Sequence, residues 1–232
     1  MFCKMIVNAI DINDAWRNTM WSCLRHGQDY TIKKGSYIGQ IRRQLTGLYL
    51  HIDYPGKRPI IFYTPPGIPQ PTNEKKIEEY FYNYIITDTK CNMEDYTYGQ
   101  FIEPQVPKII HILNEAQGKT NQATINIGGE SNIDMEDPPC LRVIDFKIVN
   151  EELILSAFFR SWDIFTGLPE NLGGLQLLKE YILMHLNFPI KDGPMIIYSS
   201  GAHLYEMYFP IINQMNALHI KHTETKGENN ND

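Results

Sequence analysis

Apolar residues recur every three to four positions in several stretches of the first half of the chain, and this spacing predicts amphipathic helices. In the first stretch, Asp11 or Asn13 can cap the start and Gly27 suits the end. In the second, Thr72 or Asn73 can act as the cap. The helices predicted in this way cover residues 12–26, 72–86 and 107–117.

Strands and a long loop separate these helices. Residues 44–53 read as one strand, and the proline-rich segment 58–71 reads as a loop that contains one short strand. Apolar and polar residues then alternate over 144–148. A turn at 150–151 and a returning strand over 153–159 complete a predicted hairpin.

The last third of the chain mixes helix and strand signals. A helix with Pro169 near its first turn comes first, then a short strand over 195–198, then a helix over 202–213 that Pro210 disturbs. Strands and helices do not alternate regularly, so the pattern predicts an α+β fold and not a doubly wound one.

Length and charge narrow the class of protein. The 232 residues fit one domain over 1–221, with a polar tail over 222–232 that we expect to be disordered. The net charge of −6 argues against a nucleic-acid partner, which would need a basic surface. Without an apolar run of about 18 residues or a signal peptide, we expect no membrane partner and a cytoplasmic location. No two cysteines form a Cys-x-x-Cys pair, so we expect no metal site.

Cys140 is the first candidate for chemistry. It ends the sequence DPPC, whose two prolines restrict the backbone and place the thiol at the entrance of a strand. A nucleophilic cysteine must be partly thiolate, and Arg142 or Arg160 can supply the cation that this requires. The same residues also fit a cysteine that is simply buried after a proline turn.

Two further clusters could bind a ligand. Arg160 and Ser161 resemble a phosphate cradle, and Asn171 offers the donor and acceptor that the amide edge of a uracil-like base requires. His203 and Tyr205 are close enough to share one ligand hydroxyl. The alternatives are a polar loop before a helix for the first cluster, and a cap or surface histidine for the second.

The order and spacing of DPPCLR, FRSWD, GLPENLGGLQLLKEY and AHLY resemble the C-terminal half of thymidylate synthases, most closely the short form found in archaea. The resemblance runs from about residue 96 to residue 214. It implies a thymidylate-synthase-like α+β fold, a homodimer, and a reduced pterin as one-carbon donor. That donor is 5,10-methylene-tetrahydrofolate or methylene-tetrahydromethanopterin.

The resemblance also implies roles for single residues. Cys140 matches the nucleophile that adds to carbon 6 of the pyrimidine, and Arg160 with Ser161 matches the phosphate-binding pair. The other implied roles are base-side hydrogen bonding for Asp163, uracil recognition for Asn171, binding of the sugar 3′-hydroxyl for His203 and Tyr205, a position beside the active site for Tyr98, and acid–base catalysis for Glu79, with Glu78 as the alternative.

The chain departs from the family pattern in two places. Asn121 and Gln122 stand where adjacent arginines would reach across the dimer to the phosphate. Possible substitutes are Lys119 or the group Lys33, Lys34, Arg42 and Arg43. The segment 84–98 is short and has no tryptophan to shield an intermediate from water.

These features leave three functions to compare. The leading prediction is methylation of dUMP to dTMP. The rivals are a pyrimidine nucleotide hydroxymethylase, which would finish with water, and a non-catalytic nucleotide-binding protein.

Overall fold

The computed structural model describes residues 5–90 and 95–216, so the predicted tail over 222–232 lies outside them. Within these two stretches, ten strands form two sheets. The strands are β1 (Met5–Ala9), β2 (Gln28–Thr31), β3 (Ile41–Leu45), β4 (Leu48–Ile52), β5 (Thr124–Asn126), β6 (Leu141–Val149), β7 (Glu152–Phe159), β8 (Trp162–Asp163), β9 (Lys191–Ser199) and β10 (Ala202–Tyr205). One sheet has the order β1-β4-β9-β7-β6-β5 and the other β2-β3-β10-β8.

Helices cover one face of the larger sheet. They are α1 (Ile12–His26), α2 (Glu74–Tyr80), α3 (Gly99–Ile102), α4 (Val106–Glu115) and α5 (Gly167–Met184), with a π-helical turn at Phe81–Ile85 and 3₁₀ turns at Glu130–Asp134 and Glu206–Tyr208. Residues 209–216 are helical as well. The mixture of parallel and antiparallel pairs with helices confirms the predicted α+β class. None of the helices within the described residues is both long and apolar enough to cross a bilayer.

The caps of the predicted helices explain where they begin. Asp11 accepts a hydrogen bond from the backbone N–H of Asp14 at 2.9 Å, and Asn73 accepts one from that of Lys76 at 3.0 Å. Each side chain satisfies an N–H group that the first helical turn leaves unpaired. The helix predicted over 72–86 begins at Glu74 and changes to π-helical geometry after Tyr80.

The hairpin prediction is confirmed. β6 and β7 pair antiparallel, and both turn residues, Asn150 and Glu151, have positive φ angles of 52° and 62°. This is the backbone that a two-residue turn needs to match the twist of its strands.

Three sequence predictions are wrong in detail. The single strand over 44–53 is two strands in different sheets, because the chain turns at Gly47, where φ is 76°. The loop 58–71 contains no strand. Residues 202–205 form the buried strand β10 instead of a helix, since β3 and β8 pair with it on both sides. The helix starts later, so Pro210 lies in its first turn, where a missing N–H costs little.

The second face of the larger sheet is not covered by any described element. A row of side chains crosses it, one per strand, in direct register from β1 to β6: Ile6, Tyr49, Tyr198, Phe158 and Val143. Tyr198 and Phe158 stack with ring centroids 5.6 Å apart, and Tyr198 remains 44% exposed. This row is therefore apolar and partly open to solvent, while the next row on the same face is mostly polar, with Asn8, His51, Ser156 and Asp145 in register beside Ile196.

Candidate active site

A cleft of about 320 Å³ opens where the edge of the smaller sheet meets the segment before β6. It gathers residues that are far apart in the chain. Its lining includes Lys34, Arg42, Cys140, Arg160, Ser161, Asp163, His203 and Tyr205. Six of the predicted site residues thus line one cavity.

Cys140 lies at the start of β6 and is held there by its neighbours. Its carbonyl oxygen accepts a hydrogen bond from the backbone N–H of Arg160 at 2.8 Å. The N–H of the next residue, Leu141, donates to the Tyr98 hydroxyl at 3.2 Å. Tyr98 therefore lies next to the backbone that carries Cys140, although it does not line the cleft. Burial raises the pKa of the Cys140 thiol, while the positive charges of Arg160 and Arg42 act in the opposite direction.

Arg160 hydrogen-bonds the backbone carbonyls of the two prolines that precede the cysteine. Its Nε donates to the carbonyl of Pro139 at 3.1 Å, its Nη2 donates to that of Pro138, and Asp137 lies 3.4 Å away. The guanidinium thus fixes the position of the thiol while it presents positive charge to the cleft.

Arg42 provides the second guanidinium of the cleft. It extends from β3, and its Nη2 donates to the Tyr205 hydroxyl at 2.9 Å. Its buried Nε has no hydrogen-bond partner among the described residues. Of the proposed substitutes for the missing arginine pair, only Arg42 and Lys34 line this cleft. Arg43 pairs with Asp29 at 2.6 and 2.7 Å instead.

Lys119 is not near the cleft residues. Together with Asn121 and Lys147, it borders a separate depression at the far end of β6. Within one chain, it therefore does not replace the missing phosphate contacts.

The protonation of His203 follows from its surroundings. Burial, together with the charge of Arg42, lowers its pKa to about 3, so the ring is neutral at physiological pH. Nδ1 lies 3.0 Å from the carbonyl oxygen of Gly201 and must carry the hydrogen. Nε2 is then an acceptor, buried and without a hydrogen-bond partner among the described residues. A ligand that donates a hydrogen bond would satisfy it.

Asp163 forms part of the cleft wall and is largely occupied by its own loop. Its carboxylate accepts from the N–H of Phe165 at 2.9 Å and from the hydroxyl of Thr166. Burial raises the pKa of this carboxyl, and the hydrogen bonds oppose the shift.

Asn171 does not line the cleft, but only a glycine separates it from the cleft wall. A Cβ placed on Gly167 would stand 3.5 Å from Asp163 Cβ and 3.8 Å from Asn171 Oδ1. The amide of Asn171 hydrogen-bonds Trp162 on one side and Tyr80 on the other, at 2.9 and 2.7 Å.

The structure does not bring Glu79 or Glu78 to the cleft. Glu79 is 56% exposed and pairs with Lys75 at 3.7 Å, while Glu78 borders a different surface depression. The reason is the helical face: Ile77 and Tyr80 point inward from α2, so the two glutamates point outward. Tyr80, which points inward, is the α2 residue that hydrogen-bonds Asn171.

Four tyrosines pack against one another near the start of β6, and of these only Tyr98 was assigned to the active site from the sequence. Tyr80 stacks on Tyr84 at 5.3 Å, and Tyr84 meets Tyr98 edge-on at 5.2 Å. Tyr96 contacts both Tyr84 and Tyr98. The available signal was the apolar face of the predicted helix, because Tyr80 and Tyr84 lie on it together with Ile77.

Comparison with known proteins agrees with this geometry. A family model described as thymidylate synthase matches residues 80–226, more than half of the chain. The chain belongs to the thymidylate synthase family. A Methanosarcina barkeri protein named "Putative thymidylate synthase" is 32% identical over 209 residues, covering 87% of this chain and 89% of that one. A protein of the same name from Methanopyrus kandleri is 24% identical over 212 residues, covering 89% and 95%.

A solved structure supports the fold. Thermostable thymidylate synthase A from Bacillus subtilis superimposes with a TM-score of 0.66 at 14% identity, covering 88% of this chain and 83% of that one. Membership of the thymidylate synthase family implies a one-carbon transferase that uses a methylene-folate type of co-substrate.

Proposed function

We propose that this chain transfers a one-carbon unit from a reduced pterin to carbon 5 of dUMP. The observation that carries the proposal is Cys140, placed in one cleft with two guanidinium groups and an unpartnered histidine acceptor. A nucleoside monophosphate matches these groups, since it brings a dianion and a sugar hydroxyl on one molecule.

The phosphate can bind to cationic side chains that line the cleft alongside the acidic Glu136, Asp137 and Asp163. Arg42 and Arg160 supply guanidinium groups, and Lys34 and Ser161 line the same cavity. A charge-assisted hydrogen bond contributes roughly 1.5–3 kcal/mol. Contacts from Arg42 and Lys34 would therefore replace those that Asn121 and Gln122 cannot make.

The sugar hydroxyl fits between His203 and Tyr205. The unprotonated Nε2 of His203 accepts the hydrogen of the sugar hydroxyl. The Tyr205 hydroxyl already accepts from Arg42 and can donate its own hydrogen to the sugar oxygen. One hydroxyl can satisfy both side chains because it is donor and acceptor at once.

With the nucleotide bound in this way, Cys140 acts on the base. The thiol loses its proton, the sulfur forms a bond to carbon 6, and the electron pair of the 5,6 double bond moves to carbon 5 and the 4-carbonyl. Arg160 and Arg42 favour the thiolate against the effect of burial. Carbon 5 then takes up the new carbon and loses its hydrogen, which appears in water. The bond from sulfur to carbon 6 finally breaks as the 5,6 double bond re-forms, which releases the product and frees the thiolate.

The tyrosine cluster suits a planar pterin ring. Tyr80 and Tyr84 stack on each other, and Tyr84, which is only partly buried, meets Tyr98 edge-on. Bound there, a methylene-tetrahydropterin supplies the carbon and, for methylation, a hydride. Tyr96 and Tyr98 are 9% and 4% exposed, so they exclude water. This dry wall favours methylation over hydroxymethylation despite the absence of tryptophan from segment 84–98.

We also propose that two copies associate through the open sheet face. A second copy supplies the same apolar row, Ile6 to Val143, and a two-fold axis lets identical surfaces cover each other.

Tritium release tests the proposed reaction. Wild-type protein with 5-tritiated dUMP and methylene-tetrahydrofolate or methylene-tetrahydromethanopterin is expected to release tritium to water, and Cys140→Ala is expected to release none. Nucleotide binding without release by the wild type would instead support the non-catalytic alternative.

A further inference from the structure

Two side chains hold the amide of Asn171 from opposite ends. The indole Nε1 of Trp162 donates to Asn171 Oδ1 at 2.9 Å. Asn171 Nδ2 in turn donates to the hydroxyl of Tyr80 at 2.7 Å. The orientation of the amide is therefore a property of this pair of neighbours.

The two neighbours do not have equal influence. An indole N–H can only donate, so it can face the amide oxygen but not the amide nitrogen. A phenol hydroxyl can donate or accept, so Tyr80 accommodates either orientation. Of these two neighbours, Trp162 therefore sets the orientation of the Asn171 amide, with Oδ1 facing the indole N–H.

Trp162 is held too firmly to turn away. It is 2% exposed and stacks on Phe159 with ring centroids 4.6 Å apart and planes 10° from parallel. Its backbone N–H donates to the carbonyl of Gly201 at 3.0 Å, within the pairing of β8 with β10. If Asn171 flipped, two N–H groups would face each other at this partly buried position in place of the present hydrogen bond.

The fixed amide has one binding edge left. Oδ1 retains a second acceptor site and Nδ2 a second hydrogen. Together these match uracil, which presents a ring N–H donor beside a carbonyl acceptor. Cytosine presents the reverse, a ring nitrogen acceptor beside an amino donor, and requires the flipped amide. Gly167 lies between Asp163 and this amide, and its lack of a side chain leaves the space beside Asn171 Oδ1 free of a Cβ that would stand 3.8 Å away.

We propose that Trp162 is the residue that sets the pyrimidine specificity of the site, by fixing Asn171 in the orientation that accepts uracil and rejects cytosine. The inference rests on the proposed function and adds a positioning residue to it. Tyr80 supports the amide without selecting its orientation.

The experiment removes the N–H and keeps the ring. Trp162 is replaced with 3-benzothienyl-alanine, in which sulfur stands in place of the indole N–H, and in parallel by Trp162→Phe. Tyr80→Phe is the matched control, since it deletes the other hydrogen bond to Asn171. The readout is the ratio of tritium release from 5-tritiated dUMP to that from 5-tritiated dCMP, which a merely structural defect would not change.

The wild type is expected to prefer dUMP. Both Trp162 replacements are expected to reduce that preference by roughly tenfold to a hundredfold. Without the indole N–H, a flipped Asn171 amide no longer points its own N–H at another donor. Tyr80→Phe is expected to keep the ratio even if its rate falls.

An unchanged ratio in the benzothienyl protein overturns the inference, as does an equal loss of preference in Tyr80→Phe. If Trp162→Phe does not fold, the benzothienyl protein still decides the matter because it retains the bicyclic ring. Absence of release from either nucleotide by the wild type overturns the proposed function itself, so the two failures are distinguishable.

Discussion

Replacement of Arg42 by glutamine is expected to weaken the binding of dUMP much more than that of deoxyuridine. The guanidinium lies in the cleft, donates to Tyr205 at 2.9 Å, and has a buried Nε with no partner among the described residues. We infer that the phosphate takes up this unused capacity. Glutamine keeps part of the side-chain length but removes the charge.

The structure sets the size of the effect. Loss of one charge-assisted hydrogen bond to a phosphate costs roughly 1.5–3 kcal/mol, which corresponds to roughly a ten- to 150-fold increase in Kd. Two lost contacts would exceed this range. Since deoxyuridine has no phosphate, its Kd should change only by the smaller effect of losing the Arg42 hydrogen bond to Tyr205, which contacts the sugar in the proposed binding mode.

Arg43→Gln is the matched control, because Arg43 occupies the next position of β3 but pairs with Asp29 outside the cleft. Titration calorimetry with dUMP and deoxyuridine measures all three proteins. Equal weakening of dUMP binding by the two variants would refute the reasoning. It would mean that Arg42 acts only through the net charge of the protein and not through a direct contact with the phosphate. Equal weakening of dUMP and deoxyuridine binding by Arg42→Gln would refute it as well.

Three further predictions concern pH, assembly and product. The pKa of His203 is about 3 in the folded protein and near 6.5 when unfolded, so the unfolded chain takes up a proton first as pH falls. The free energy of unfolding therefore falls as the pH drops below 6.5, and at pH 5 it is lower by roughly 2 kcal/mol. Urea unfolding at pH 7 and 5 should show this loss in wild type and less of it in His203→Gln. Tyr198→Glu, in the centre of the open sheet face, should convert a dimer to monomers in light scattering, whereas the surface change Lys75→Glu should not; a wild-type monomer would contradict the proposed assembly. The pterin product should be the oxidised dihydro form, which chromatography detects, because hydroxymethylation would leave it as tetrahydropterin.

Much of the fold could be predicted from local patterns. The α1 helix and the β6–β7 hairpin follow from spacing, caps and turn residues that lie within a few positions of each other. Residues 202–205 could not, since their strand state comes from pairing with β3 and β8, which are distant in the chain. The strand break at Gly47 likewise depends on which sheet each half joins.

The candidate site divides in the same way. Cys140 and Arg160 carry their own local signals, and both line the cleft. Glu79 does not line the cleft. Neighbouring residues of a helix point in different directions, so Glu79 faces solvent and Tyr80, the next residue, points inward. The roles of Arg42 and Trp162 depend on hydrogen bonds to residues far along the chain, which spacing cannot show.

The most direct test of the central claim is covalent trapping by 5-fluoro-dUMP with 5,10-methylene-tetrahydrofolate or methylene-tetrahydromethanopterin. Fluorine at carbon 5 cannot leave as a proton does, so the bond from sulfur to carbon 6 should persist. Mass spectrometry of the digested protein is expected to find the nucleotide on the peptide that contains Cys140 and on no other. Cys23 is an internal comparison, since burial raises the pKa of its thiol to about 12. Absence of any adduct with either pterin, or an adduct on another cysteine, would contradict the assignment of Cys140 as the nucleophile.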